Sequence, residues 1–184
     1  MSSSNDILDA AADLIRQRGV RRVQLSEIAR HAGVSRPTVY RRWPDVHAVI
    51  AALLTRQIQA IQASVPLDGA DRSALVAAIV ATAVRIRDDE LLGGLLLSDP
   101  DVLAEYTVQR LGTSQRGLLE ALRVAIARGQ KSGTIRRGRA KEMAAMVLLI
   151  AQSTVQSHRM VAQVLPDRAW RRELATALNG YLAP

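Results

Sequence analysis

Five side chains in one short stretch are of the types that read nucleic acid. In VSRPTVYRRWP, residues 34–44, these are Arg36, Thr38, Tyr40, Arg41 and Arg42. A guanidinium can make two parallel hydrogen bonds to the major-groove edge of guanine. A threonine offers a hydroxyl and a methyl, and a tyrosine hydroxyl reaches phosphate. The plain alternative is the solvated basic face of an ordinary helical hairpin.

The elements around these residues favour the first reading. Residues 26–43, SEIARHAGVSRPTVYRRW, are patterned as two short helices joined by a tight turn. Ile28, Ala29 and Ala32 give the first helix an apolar side. Gly33 falls where the chain must reverse, because glycine takes a positive φ without a Cβ clash. Ser35 suits the N-cap of the second helix, and Pro37 suits its first turn, where a missing N–H costs nothing. Val39 and Trp43, spaced i and i+4, share the face expected to pack inward. Arg36, Thr38, Tyr40, Arg41 and Arg42 are left for the outer surface.

The segment IARHAGVSRPTVYRRWPD resembles the DNA-binding segment of the tetracycline-repressor (TetR) family of bacterial transcriptional regulators. The matching residues are Ile28-Ala29, Ala32-Gly33-Val34-Ser35, Thr38-Val39-Tyr40, Trp43 and Pro44. The resemblance implies an all-α protein of about nine helices, with an N-terminal three-helix helix-turn-helix domain and a C-terminal helical domain for ligand binding and dimerisation. The boundary is expected after residue 47, giving domains 1–47 and 48–184. By positional match, Ser26, Ser35, Arg36, Pro37, Thr38, Tyr40, Arg41 and Arg42 face DNA. Arg36 and Arg42 are assigned to base edges, Tyr40 and Ser26 to phosphate. Many relatives carry a phosphate-contacting Lys where this chain has Val46, and His47 is the candidate substitute. Gln24 stands where relatives often place a capping Ser or Thr, so the start of the first motif helix is expected to shift by a residue or two.

The implied function is a DNA-binding transcriptional regulator, expected to be a repressor, on a palindromic operator in double-stranded DNA; the sequence itself is silent on the sign of regulation. One short recognition helix reads few bases, whereas two copies a helical turn apart (~34 Å) read a palindrome, so a homodimer is expected. The resemblance also implies a small-molecule effector site among residues 71–160. The mostly aliphatic composition suits an apolar effector. The alternative is a helical DNA-binding adaptor with no effector, controlled by a protein partner.

Composition sets the outer bounds. The 184 residues include 25 Lys+Arg against 17 Asp+Glu, a formal net charge of +8, with no Phe and no Cys. Alanine and leucine with few aromatics favour helices, and the charge favours a polyanionic partner. Residues 1–47 hold eight Arg against five Asp+Glu, so the basicity is only modestly concentrated there. Without cysteine there is no disulfide or thiolate metal site. The N-terminus MSSSNDILDAA lacks the basic-then-apolar pattern of a signal peptide, and no apolar run reaches the ~18 residues of a membrane span. A cytoplasmic protein without membrane contact is expected.

Elsewhere, apolar spacing predicts helices over 4–18, from an Asp45 cap to about 64, 71–88, from Thr113 or Ser114 to about 131, 140–164, and 168–182 behind an Asp167 cap. Pro66-Leu67-Asp68-Gly69 reads as a break, Leu91–Leu97 as an apolar run, and Asp99-Pro100-Asp101 as the start of a helix to about Leu111. The basic stretch from Arg128 to Lys141 reads as a solvated loop, since a lone charge run does not specify a partner. His158 is the one tentative ligand-binding residue; a hydrogen-bonded core or interface histidine is the more ordinary outcome. Asp88-Asp89-Glu90 points in several directions on a helix and reads as a helix end. No nucleophile–base pair, phosphate loop or metal-ligand spacing is present, so neither an enzyme, a cofactor nor a metal site is expected.

Overall fold

The computed structural model describes residues 4–67, 71–93 and 113–184. Among them the chain is helical and has no strand. Its elements are α1 (Ser4–Arg18), a 3-10 turn (Val20–Arg22), α2 (Leu25–His31), α3 (Arg36–Tyr40), α4 (Val46–Ala63), α5 (Arg72–Asp88), α6 (Thr113–Lys131), α7 (Ala140–Val161) and α8 (Asp167–Leu182). A further helical turn begins at Glu90. The predicted helix from Asp99 to about Leu111, most of the apolar run Leu91–Leu97, and Asp68-Gly69 of the predicted break lie outside the described residues. None of the described helices is long and apolar enough to cross a membrane.

The chain forms two compact units, one from residues up to 59 together with 89–93, the other from 60–88 and 113–184. In the first, α1 is buried along most of its length: Ile7, Leu8, Leu14 and Ile15 join Ala10, Ala11 and Ala12 in the core. Those alanines keep the helix surface low, so neighbouring backbones approach closely. Val20, Val23, Leu25, Ile28, Ala29, Val49, Ile50 and Leu53 complete the apolar interior. Two ion pairs fasten its outside. Arg18 Nη1 lies 2.9 Å from Glu27 on α2, and Arg56 Nη2 lies 2.8 Å from Asp9 on α1.

The second unit packs α5, α6, α7 and α8 around one core. Leu75, Val76 and Ile79 meet Leu122 and Ile126, Met143 and Val147, and Trp170, Leu174, Leu178 and Leu182. The loop between α6 and α7 is tied down rather than loosely solvated. The backbone N–H of Arg136 donates to the Leu182 carbonyl at 3.0 Å, and its Nε donates to the Tyr181 carbonyl at 2.7 Å. Its guanidinium also stacks 4.6 Å over the Tyr181 ring. Arg136 thus satisfies two carbonyls at the end of α8, that of Tyr181 with its cationic side chain and that of Leu182 with its backbone N–H. Arg137, Arg139 and Lys141 stay exposed.

Three local expectations need adjustment. Asp167 does not cap α8: Pro166 takes the N-cap place, and the Asp167 carboxylate turns to Arg87, 3.0 Å away, and towards His158, 3.7 Å away. Helix α7 stops at Val161 instead of 164, because the Val164 and Leu165 N–H groups both fold back onto the Val161 carbonyl as a turn. Within the helix predicted to end at about 131, apolar spacing puts Leu118, Leu119, Leu122, Val124 and Ile126 on the buried side, but Val124 is exposed.

Two glycines are required for different reasons. Gly33 has φ of 66°, and an added Cβ would meet nothing within 4 Å, so only the backbone conformation demands glycine there. Gly129 has ordinary dihedrals, but a Cβ would lie 2.5 Å from Ile135 Cδ1 in a buried contact. Gly33→Ala is expected to destabilise the first unit by about 1 kcal/mol. Gly129→Ala is expected to cost about 1–3 kcal/mol by overpacking. Denaturant midpoints, with helix content followed by circular dichroism, check both.

Candidate nucleic-acid interface

The turn between α2 and α3 is set by the end of α2. With Gly33 in the left-handed region, its N–H donates to the Arg30 carbonyl at 3.2 Å and that of Val34 to the Ala29 carbonyl at 2.9 Å. This double closure satisfies the last carbonyls of α2 and reverses the chain within two residues. The start of α2 is held from the other side: Gln24 is the N-cap, and its backbone N–H donates to the Glu27 carboxylate at 3.3 Å.

Helix α3 is then started by Ser35. Its backbone is extended, with φ of −69° and ψ of 147°, and its Oγ accepts from the Thr38 N–H at 3.3 Å. The two hydroxyls, Ser35 Oγ and Thr38 Oγ1, lie 2.8 Å apart. One proton serves that bond, and the other remains free to donate outward. Pro37 occupies the first turn as expected. Although regular helix ends at Tyr40, the N–H groups of Arg41 and Trp43 donate to Pro37 and Val39 carbonyls at 3.0 Å, carrying the chain one further turn.

Val39 anchors this helix from beneath and is 0% exposed, whereas Trp43 is only half-buried. Arg36, Pro37, Arg41 and Arg42 are exposed, Thr38 is half-buried, and Tyr40 is 52% exposed. The predicted residues of α3 and the turn after it are thus exposed or half-buried, with Val39 sealed beneath them. Ser26 is the second residue of α2 and is half-buried. His47 is the second residue of α4 and is exposed. Just ahead of it, Asp45 Oδ1 accepts from the Ala48 N–H at 2.7 Å, so a carboxylate already caps that helix.

Charge pairing separates two sets of arginines in this unit. Arg16, Arg18 and Arg56 each hold a carboxylate. Arg36, Arg41 and Arg42 have no ion pair or side-chain hydrogen bond among the described residues. Their guanidiniums can therefore engage an anion without first breaking an internal bond. Arg22 and Arg30 are likewise exposed and uncommitted. Sequence reasoning passed over both, because neither falls on a helix spacing that singles it out.

The other residues weighed from the sequence have structural work. His158 is buried, its Nε2 donates to the Leu165 carbonyl at 3.1 Å, and its ring lies 5.3 Å from that of Trp170. Of the acidic triplet, Asp88 ends α5 close to Arg87 at 2.8 Å. Asp89 Oδ1 accepts from the N–H groups of Leu91 and Leu92, and its Oδ2 accepts from Gln57 Nε2 at 2.6 Å. No group of three or more potential metal-ligating side chains occurs among the described residues.

A glycine-turned helix pair, with a serine-capped second helix showing unpaired arginines, defines a helix-turn-helix DNA-binding protein. Comparison with known proteins agrees. Residues 7–53 match the family described as "Bacterial regulatory proteins, tetR family". An HTH-type transcriptional regulator of Mycobacterium tuberculosis is 50% identical over 189 aligned positions, covering 99% of each chain. Among solved structures, the SmeT–triclosan complex is 25% identical with a TM-score of 0.63, covering 100% of this chain and 96% of that one. FadR from Bacillus subtilis in complex with stearoyl-CoA is 20% identical with a TM-score of 0.69, covering 98% and 100%. The chain belongs to the TetR family of DNA-binding transcriptional regulators.

The Ser35 cap yields a direct check. Ser35→Ala removes the acceptor for the Thr38 N–H and is expected to cost about 1 kcal/mol, with Ser35→Asn retaining most of the stability. Thermal melts of the two variants against the parent measure it.

Proposed function

We propose that the protein is a homodimeric repressor that grips a palindromic operator with one α3 from each copy and releases it when a small effector binds. Residues 1–47 supply the DNA contacts, and 48–184 supply effector binding and dimerisation. The observation that carries this reading is the set of uncommitted guanidiniums at Arg36, Arg41 and Arg42 on a rigidly started helix. Arg36 and Arg42 read base edges, Tyr40 and Ser26 hold phosphate, and Ser35, Pro37 and Thr38 shape and line the same surface. His47 adds a phosphate contact beside the Asp45 cap. The site of action is the cytoplasm, where the operator is.

Support for a dimer comes from α7. Met146, Leu149 and Met160 are exposed, the last two at 61% and 86%. At 3.6 residues per turn they fall in one narrow sector of the helix, together with Ser153. Large apolar side chains aligned on one exposed face mark a contact surface, and a second copy supplies a self-complementary one. Support for an effector comes from relatives of the same fold in complex with triclosan and with stearoyl-CoA. A ligand that binds one arrangement of the dimer more tightly than another lowers operator affinity by that difference alone.

Selection of bound sequences from random duplex DNA is expected to return an inverted repeat whose half-sites lie about one helical turn apart. A single unrepeated motif would reject the dimeric reading. Arg36→Ala and Arg42→Ala are each expected to weaken specific binding by about 1–3 kcal/mol while leaving helix content intact. Leu149→Glu is expected to yield folded monomers by sedimentation, with operator affinity sharply reduced.

A further inference from the structure

A groove of about 520 Å³ runs along the second unit between α5 and α8. Its floor is made by Val76, Val80 and Val84 with Ala77, Ala81 and Ala175. The α5 residues recur every three or four positions, so they form one stripe along that helix. Its two ends differ. Arg85 and Arg171 stand at one, Ser73 and Asn179 at the other. The groove is therefore apolar in the middle, cationic at one end and neutral-polar at the opposite end.

The two arginines are not equivalent. Arg85 Nη1 donates to both the carbonyl and the hydroxyl of Ser64. Arg171 has only a loose contact with Asp88, at 3.8 Å, and keeps 48% of its side-chain surface exposed. Asp88 is itself held much closer by Arg87, at 2.8 Å. Arg171 therefore retains donors for an anion, while the acid beside it is held chiefly by Arg87, which also reaches Asp167. At the other end, Asn179 Nδ2 donates to the Ala175 carbonyl, which leaves its side-chain oxygen as an acceptor.

From this arrangement we infer that the α5/α8 groove binds a single-chain anionic amphiphile, with its acid group on Arg171 and its hydrocarbon tail along the valine and alanine floor. From Ser73 to Val84 the helix rises ~16 Å, which matches an extended acyl chain of about twelve carbons. A fully apolar effector would leave the cationic end unused, and a compact polar anion would leave the floor unused. That this ligand is also the effector rests on the regulatory reading above.

Dodecanoate, dodecanol and dodecyltrimethylammonium, titrated calorimetrically into the whole protein below their aggregation concentrations, test the assignment. Dodecanoate is expected to bind about tenfold more tightly than dodecanol, with dodecyltrimethylammonium weakest. Arg171→Gln is expected to bring dodecanoate down to the level of dodecanol. The double variant A77L/A81L fills the groove from its exposed side and is expected to abolish binding while its thermal melt stays at or above that of the parent. Equal binding of all three amphiphiles would overturn the head-group assignment. Undiminished binding to folded A77L/A81L, or no dodecanoate binding at all, would overturn the site. An operator release assay separates the two readings: bound dodecanoate that leaves the operator complex intact supports the groove site and removes only its effector role. Release by another compound with no dodecanoate binding overturns the groove site and leaves the regulator standing.

Discussion

The left-handed backbone at Gly33 is the constraint on which the exposed surface of α3 depends. Because that residue turns back on itself, the Gly33 and Val34 N–H groups close the end of α2, and the next residue is already placed to start α3. Ser35 then closes the start of α3 with its own hydroxyl. Two consecutive helix ends are thus satisfied by local bonds. A helix of five residues could not hold its shape alone, since short helices in water are marginal. Here it is fixed by a turn before it, a cap at its start and Val39 sealed beneath it.

That local rigidity matters because the surface carries unpaired charge. Exposed guanidiniums gain little from intramolecular partners, and pairing them would oblige DNA binding to break those pairs first. The unit instead places two of its bonded arginines at the joints, Arg18 between α1 and α2 and Arg56 between α1 and α4, with Arg16 paired to Asp13 along α1 itself. Its unbonded ones lie on the outward surface. One residue type both fastens the scaffold and stays open to solvent, and the position of the carboxylates decides which.

Much of this was legible in the sequence because the signals are local. Gly33, Ser35, Pro37 and the Asp45 cap act within three or four residues of themselves, so their chemistry predicts their geometry. What escaped depends on partners far along the chain. Arg136 reads as one more cation in a basic loop until Tyr181 and Leu182 come beside it, 45 residues on in the case of the Nε bond. Asp167 has the type and place of a helix cap, yet Arg87, 80 residues earlier, claims its carboxylate. Val124 and Trp43 show the limit of periodicity: a helix pattern identifies an apolar side but not how much of it is covered. Arg22 and Arg30 carried no spacing signal, and only the missing carboxylates around them mark them out.

The uncommitted cations of the first unit, five in number among the described residues, outnumber what a short helix can set against base edges. Under the proposed function, the surplus would meet the sugar–phosphate rails of any duplex, whatever its sequence, through release of condensed counterions. Encounter with the genome would then begin anywhere along its length and proceed by short one-dimensional excursions, so the search for a rare target would be hastened by the very charges that cannot recognise it.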